Sequence, residues 1–378
     1  MMKKLNTAAI CLFTLILLSG CKKVKQEKTS DEISISPVPT NTITEAITPA
    51  QAETVSEETK DTASEVTLKI SDYYPFLENV KYIYDGEGNE YASYTVFTDY
   101  IAGNRAQFRI NNGGSETIKV LENTNGTLII HLSRGETYFR ENYVDKTDGN
   151  DEILLKEPLV KGTEWTLSDN RRRYISNTGV DITTPYGTFK TIEVTTEENS
   201  TTDKSINYYA KDIGLVKSIY STKAYDITSE LSKIEKNTPF TQSVIFYYPN
   251  TDGTGIVAVE KSISFQTNDI SRIKIQEAYV GSSNNKLLPA FSTNTKINSL
   301  FLNNDDIVSV DLSNEFITEM NLGAGFEGLI LQCITNTLGN YYGVNQVHIT
   351  IEGKPYESGH IAMNKNETFK VNYDNVIQ

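Results

Sequence analysis

Three histidines and three cysteines are the side chains of this 378-residue sequence best suited to proton transfer, nucleophilic attack or metal binding. His131 lies in the strand-like run LIIHL, His348 in VHITI on the face opposite its apolar neighbours, and His360 in the polar segment SGH. They are far apart in sequence. None falls in HExxH or beside a nucleophile motif, and GxSxG, P-loop and GxGxxG patterns are absent, so each histidine reads as structural. Asp145, Asp148, Asp151 and Glu152 cluster in DKTDGNDE. A calcium loop of the EF-hand type needs an acid five residues before its glycine, where Val144 stands, so the cluster reads as a solvated hairpin turn. Carboxylates are abundant enough that a paired acid and base stays open. Trp165 and the 22 tyrosines could line a ligand groove, although tyrosine is also an ordinary strand residue. No catalytic, cofactor-binding or metal-ligating residue is assigned.

The cysteines divide by position. Lys3 and Lys4 precede an apolar run from Ala8 to Leu18, too short to cross a hydrocarbon core of about 30 Å as a helix. This is the build of an export signal. The junction Leu18-Ser19-Gly20-Cys21 resembles the lipobox of bacterial lipoproteins, which implies cleavage before Cys21 and lipid attachment there. Residues 1–20 are therefore expected to be a lipoprotein signal peptide. Lys22, Lys23, Lys25 and Lys28 would then sit beside anionic headgroups. From 21 to 66 the chain is mostly Thr, Ser, Glu, Lys, Pro and Ala without an aromatic, as in a lipid-anchored disordered tether. Its average reach would be roughly 35–40 Å. The protein is predicted on the extracytoplasmic face of the cell membrane. Cys333 is then the one remaining thiol, too few for a disulfide, and its place on an apolar stripe marks it as core.

A formal net charge of −14 argues against nucleic acid as a partner. The basic run Arg171 to Arg173 reads as solvated charge at a strand edge.

Two kinds of folded region must position whatever chemistry exists. From 67 to 237 short alternating runs are broken by turns, as in YIYDGEGNEYASYTVFTDYIAGNRAQFRI, and Asn125-Gly126 separates two such runs as a hairpin turn. This predicts an antiparallel all-β domain. From 238 to 378 the pattern is mixed. A hairpin surrounds Asp252-Gly253, residues 269–280 look helical behind an Asp269 N-cap, and Val308, Val310 and Leu312 share a strand face. Phe326, Leu329, Ile330, Cys333 and Ile334 then form one helical stripe, and Val347, Ile349 and Ile351 a closing strand. This predicts an α+β domain of two helices packed on a mixed sheet.

The second region resembles the GerMN domain of sporulation and spore germination proteins. The resemblance rests on YYPNTDGT, a helix, LLPAFSTNTKINSLFLNNDDIVSVDLSNEF, and GFEGLILQCITNTLGNYYGVNQVHITIEGKP, in that order. Val308 to Phe316 match best, and Gly343-Val344 and Gly353-Lys354-Pro355 keep the closing strand and its turn. Asn303 to Asp306 replace a glycine-containing turn, and Leu338-Gly339-Asn340 interrupts the chain after the helix. The resemblance implies a compact envelope module without chemistry of its own. LLKEPLVKGTEW, TPYGTFKTIEV and YYAKDIGLVKS in the first region echo another secreted bacterial module, with Pro185, Gly187 and Gly214 at turns. The leading expectation is a non-enzymatic envelope lipoprotein that scaffolds protein partners in sporulation or germination. An extracytoplasmic receptor for a small ligand or cell-wall glycan, through the β domain, is the alternative, and a peptidoglycan hydrolase a third possibility. A flat surface would favour the scaffold, an aromatic-lined groove the receptor, and converging acids the hydrolase.

Overall fold

Val80, Tyr82 and Tyr84 are buried in alternation along the first strand, the period of two that a half-buried strand requires. The computed structural model describes residues 67–199, 201–280, 285–320 and 322–377, which fall in one compact unit. The predicted signal, Cys21 and the tether lie outside the described residues. After one helical turn, α1 (Ile70–Tyr73), come β1 (Val80–Glu87), β2 (Tyr94–Ala102), β3 (Arg105–Asn111), β4 (Glu116–Thr124), β5 (Thr127–Arg134) and β6 (Glu152–Lys156). Then follow β7 (Glu164–Thr166), β8 (Arg172–Thr184), β9 (Gly187–Glu197), β10 (Lys204–Ala210), β11 (Gly214–Ser221) and β12 (Asp226–Lys236). They form one antiparallel, barrel-like sheet in the order β6-β5-β4-β3-β2-β1-β12-β11-β10-β9-β8-β7. Each half is a meander, and β12 joins them by pairing with β1. The Asn125-Gly126 turn is as expected, with both residues at positive φ (49° and 71°), the backbone a two-residue hairpin needs.

The predicted hairpin turn at the acidic cluster is instead a long excursion, residues 135–151, between β5 and β6. Arg109 on β3 holds it by donating to the carbonyls of Thr137 and Phe139 at 2.8 and 2.9 Å, and Gln107 by donating to that of Glu141 at 2.9 Å. This part of the sheet is thus covered on its outer face.

The remaining chain contributes β13 (Phe240–Pro249), β14 (Ile256–Phe265), α2 (Ser271–Tyr279), β15 (Ile297–Leu302), β16 (Val308–Leu312) and α3 (Glu315–Thr318). It ends with α4 (Ala324–Tyr342), β17 (Gln346–Ile351), β18 (Lys354–Pro355), β19 (Phe369–Lys370) and β20 (Val376–Ile377). One mixed sheet was expected; there are two. One runs β13-β14-β20, and the other β15-β16-β17-β18 with β19 also on β17. The helices explain the split, because α4 packs on β13 and β17, and α2 on β14 and β15. Their shared core holds Phe246, Tyr279, Val310, Ile330, Leu338 and Ile349.

Two local expectations change. Asp269 does not cap α2, whose N-cap is Ile270 without a side-chain bond; its carboxylate accepts from the Gln266 amide at 2.8 Å, closing the preceding turn. Leu338-Gly339-Asn340 lies inside α4, which ends at Gly343 with φ of 71°. Gly339 is there for space, since a Cβ would come within 2.2 Å of Val371. The stripe read from Phe326 to Ile334 understates the burial, because Ile330, Leu331 and nearly every residue from Cys333 to Tyr342 are buried. Phe326 and Leu329 at its start are only half-buried.

A buried polar knot ties the large sheet to these layers. Arg140 is fully buried, with its guanidinium 4.1 Å from the Tyr100 ring centre. It donates to Tyr100 Oη at 2.7 Å and to the carbonyls of Asp99, Gln266 and Asp269. Its Nε lies 3.4 Å from Asp99 Oδ1, and Arg109 contacts the other carboxylate oxygen at 3.1 Å. Thr267 and Asn79 exchange reciprocal hydrogen bonds at 2.8 Å beside it. Removing one member of such a network strands its buried partners. Arg140→Met should cost about 3–5 kcal/mol of unfolding free energy, measured by urea denaturation. A loss below about 1 kcal/mol, as at an exposed pair, would mean that the knot does not hold the layers together.

Candidate functional site: a tyrosine-lined cavity

Curling the sheet brings its two edge strands within side-chain reach. The Ile153 carbonyl of β6 accepts from Trp165 Nε1 on β7 at 3.0 Å and from Arg173 on β8 at 2.8 Å. Arg173 also binds Glu152 at 2.7 Å and Thr196 Oγ1 at 2.7 Å. Arg171 and Arg172 do form surface ion pairs, with Asp169 and Glu198 and with Glu164 and Glu197. Arg173 does not fit the expected solvated run, because the curvature turns it inward.

Inside the curl lies a cavity of about 360 Å³, within the size range of small-molecule sites. β1 contributes Tyr82 and Tyr84, β2 Tyr94 and Val96, β3 Phe108 and Ile110, and β4 Lys119 and Leu121. From β10 and β11 come Asn207, Tyr209, Leu215 and Ser218. α1 and the residues after it cover one side. Ile70 is fully buried, the Asp212 amide of the β10–β11 turn donates to the Asp72 carbonyl at 2.6 Å, and Tyr74 meets Phe108 edge-on at 6.0 Å. Tyr91 and Asn112 add two loops to the lining. Tyr91 lies so close to Gly114 that a Cβ there would sit 2.6 Å from its ring.

Burial sets the protonation of this lining. It pushes the phenols of Tyr82 and Tyr209 up to about 12 and those of Tyr74, Tyr84 and Tyr94 higher still, so all remain neutral hydrogen-bonding groups. Tyr84 already donates to the Leu215 carbonyl at 2.8 Å, and Tyr84 and Tyr94 stack at 4.5 Å. Lys119 is the cationic member. Burial lowers its pKa; the nearby Glu152 opposes that shift and Arg173 adds to it. Its ammonium has no hydrogen bond or ion pair to a described residue.

The residues singled out by sequence do not converge. His131 lies between Glu122 and Asp151, at 2.9 and 2.8 Å, and Glu122 is also held by Arg105 at 2.6 Å. His348 is half-buried on β17 opposite Ser309. His360 is exposed near Glu327, whose carboxylate accepts from Tyr356 Oη at 2.7 Å. Asp148 accepts amide hydrogen bonds from Ser133 and Asn150, and Asp151 and Glu152 are engaged by His131 and Arg173. Among the described residues no group of three or more His, Cys, Asp or Glu could hold a metal ion. No helix among them is long and apolar enough to cross a membrane. Of the aromatics that sequence reasoning pointed to as a groove lining, six tyrosines do line the cavity, whereas Trp165 does not and instead donates to the Ile153 carbonyl. Lys119 was missed, because in TIKVL a lysine between Ile118 and Val120 reads as the solvent side of a strand.

Residues 245–357 match the Germane family model, described as sporulation and spore germination. The similarity to that family is confined to this span. It covers β14 to β18 and the second half of β13, and leaves the cavity-bearing sheet outside. Among solved structures, the tandem GerMN domains of the sporulation protein GerM from Bacillus subtilis are 18% identical over 34% of this chain, with a TM-score of 0.26. This chain spans 46% of that tandem-domain chain. The first GerMN domain of the same protein is 18% identical over 34% of this chain and 97% of its own, at a TM-score of 0.27. A protein from Bacteroides fragilis, described as exported with a YmcC-like fold, is 13% identical over 44% of this chain and 99% of its own, at 0.28. No curated protein matches the sequence.

Within the matched span, Cys333 is fully buried and its thiol pKa is raised well above the ordinary value by burial. The reactive thiolate is therefore suppressed across the neutral range, as at inert core cysteines. A disulfide-exchange reagent at pH 8 should leave Cys333 of the folded protein unmodified and label it fully in denaturant. Rapid labelling of the native protein would remove it from the core.

Proposed function

We propose that this protein is a non-enzymatic, lipid-anchored envelope component of sporulation or spore germination whose curved sheet receives a small ligand. The observation that carries the receptor role is the cavity within that sheet, of about 360 Å³, faced by six tyrosines and Phe108. Concave, mostly apolar sites with a few aimed polar groups are the usual form of small-molecule sites. The match to the Germane family supports the sporulation or germination setting. In this reading the matched span makes contacts with envelope proteins, as expected of a scaffold, while the N-terminal sheet senses or carries the ligand. The signal-like N-terminus and Cys21 support anchoring at the extracytoplasmic face. The histidines and the acidic cluster, each engaged in separate local contacts, offer a hydrolase no common centre.

Native mass spectrometry of the full chain, extracted in mild detergent from its own membranes, tests both parts. The expected polypeptide begins at Cys21 with covalent acyl mass, and carries a small non-covalent adduct at one per chain that denaturation releases. A mature chain without acyl mass would refute the anchor. An adduct-free spectrum under conditions that preserve other non-covalent protein–ligand complexes would contradict the receptor role.

A further inference from the structure

We infer that the cavity selects a singly charged organic anion with an apolar body, its carboxylate, sulfonate or phosphate group meeting Lys119 and its body lying among the aromatic rings. The inference rests on the receptor reading above and deepens it. Lys119 sits opposite Phe108 in the β3–β4 register, on the strand face that lines the cavity. No described carboxylate answers its ammonium: Glu152 acts on it from a distance and is already bound to Arg173 at 2.7 Å. An unpartnered cation away from bulk water is costly to keep in a fold. Lys119 is half-buried on the cavity face of β4, and the sheet around it removes enough hydration to lower its pKa while no described carboxylate pairs with it.

The rest of the lining complements such a ligand. Tyr74, Tyr84, Tyr94 and Phe108 offer ring faces and edges, and the phenols stay neutral, so no second charge competes with Lys119. Asn112, Asn207 and Ser218 add uncharged hydrogen-bonding groups. A cation with several neutral donors and no facing carboxylate favours an anion, and disfavours both cations and fully neutral sugars.

Two naphthalene probes test this. One is the anion 8-anilinonaphthalene-1-sulfonate, and the other is its uncharged relative N-phenyl-1-naphthylamine. Trp165 is the sole tryptophan of the chain and packs in the same apolar cluster as Phe108, Leu121 and Tyr209. Energy transfer from Trp165 therefore reports a probe bound near this cluster, and the response to the Lys119 variants separates the cavity from the outer surface. In the full chain both probes should bind with transfer. Lys119→Met should weaken the sulfonate by about ten- to a hundredfold, the loss of one charge-assisted hydrogen bond, and leave the neutral probe within about twofold. Lys119→Arg should restore most of the sulfonate binding. The ligand-free Lys119→Met protein should also melt at a higher temperature than the parent, because it buries no unpaired charge. If both probes bind the parent and Lys119→Met weakens them equally or not at all, anion selection is wrong and the receptor reading stands. If neither probe draws energy from Trp165 in the parent, the cavity is not a binding site and both readings fall.

Discussion

The carbonyl oxygen of Ile153 accepts hydrogen bonds from Trp165 and Arg173, and on that oxygen the curl of the large sheet closes. A sheet of twelve strands ends in two edges whose backbone groups would otherwise seek partners in another chain. Here the edge strands β6 and β7 do not pair through their backbones. Side chains reach across instead, with Arg173 neutralised by Glu152 so that its inward turn does not strand a charge. Everything distinctive about the N-terminal sheet follows from this. Closure places Phe108, Leu121, Ile130, Ile192 and Tyr209, from strands far apart in sheet order, in one apolar cluster. It also encloses space beside that cluster, where the tyrosines and Lys119 meet.

The outer cover explains why a lysine can face inward at all. Residues 135–151 lie over the opposite face of β3, held there by Arg109 and Gln107, so that face is buried as deeply as the lumen. Arg140, in the same segment, reaches on to the carbonyls of Gln266 and Asp269 and to Tyr100. One excursion thus covers the sheet, fixes β2 and β3, and fastens the C-terminal layers. The strands β2 and β3, which contribute Val96, Phe108 and Ile110 to the cavity, are therefore also the ones tied to the C-terminal region.

Much of this was legible in the sequence where short-range rules decide. The period of two in β1 to β5, the Asn125-Gly126 turn, the Val308-Val310-Leu312 face and the order of the Germane elements follow from local patterning. What escaped depends on long-range closure. Arg173 reads as one of three surface arginines until the sheet curls and brings β6 to it. The alternation in TIKVL correctly separates Lys119 from Ile118 and Val120, but it does not say which face meets solvent when both are covered. Likewise, α4 reads as one apolar stripe because its partners on the other sides, β13, β17 and the Val371 segment, are distant in sequence. His131 illustrates the converse: it falls at a bulge, skipped in the β4–β5 register between Ile130 and Leu132, and is occupied by two carboxylates rather than by chemistry.

The central claim is that the space inside the sheet is a seat for an organic anion. Its most direct test is a crystal structure of the full mature chain grown with a bromine-labelled naphthoate, read from the anomalous signal of bromine. The account predicts one strong peak inside the sheet between the rings of Tyr74, Tyr84 and Phe108, with the carboxylate within hydrogen-bonding distance of Lys119 Nζ. Bromine found only on the outer surface, with the interior filled by side chains or water, would contradict it.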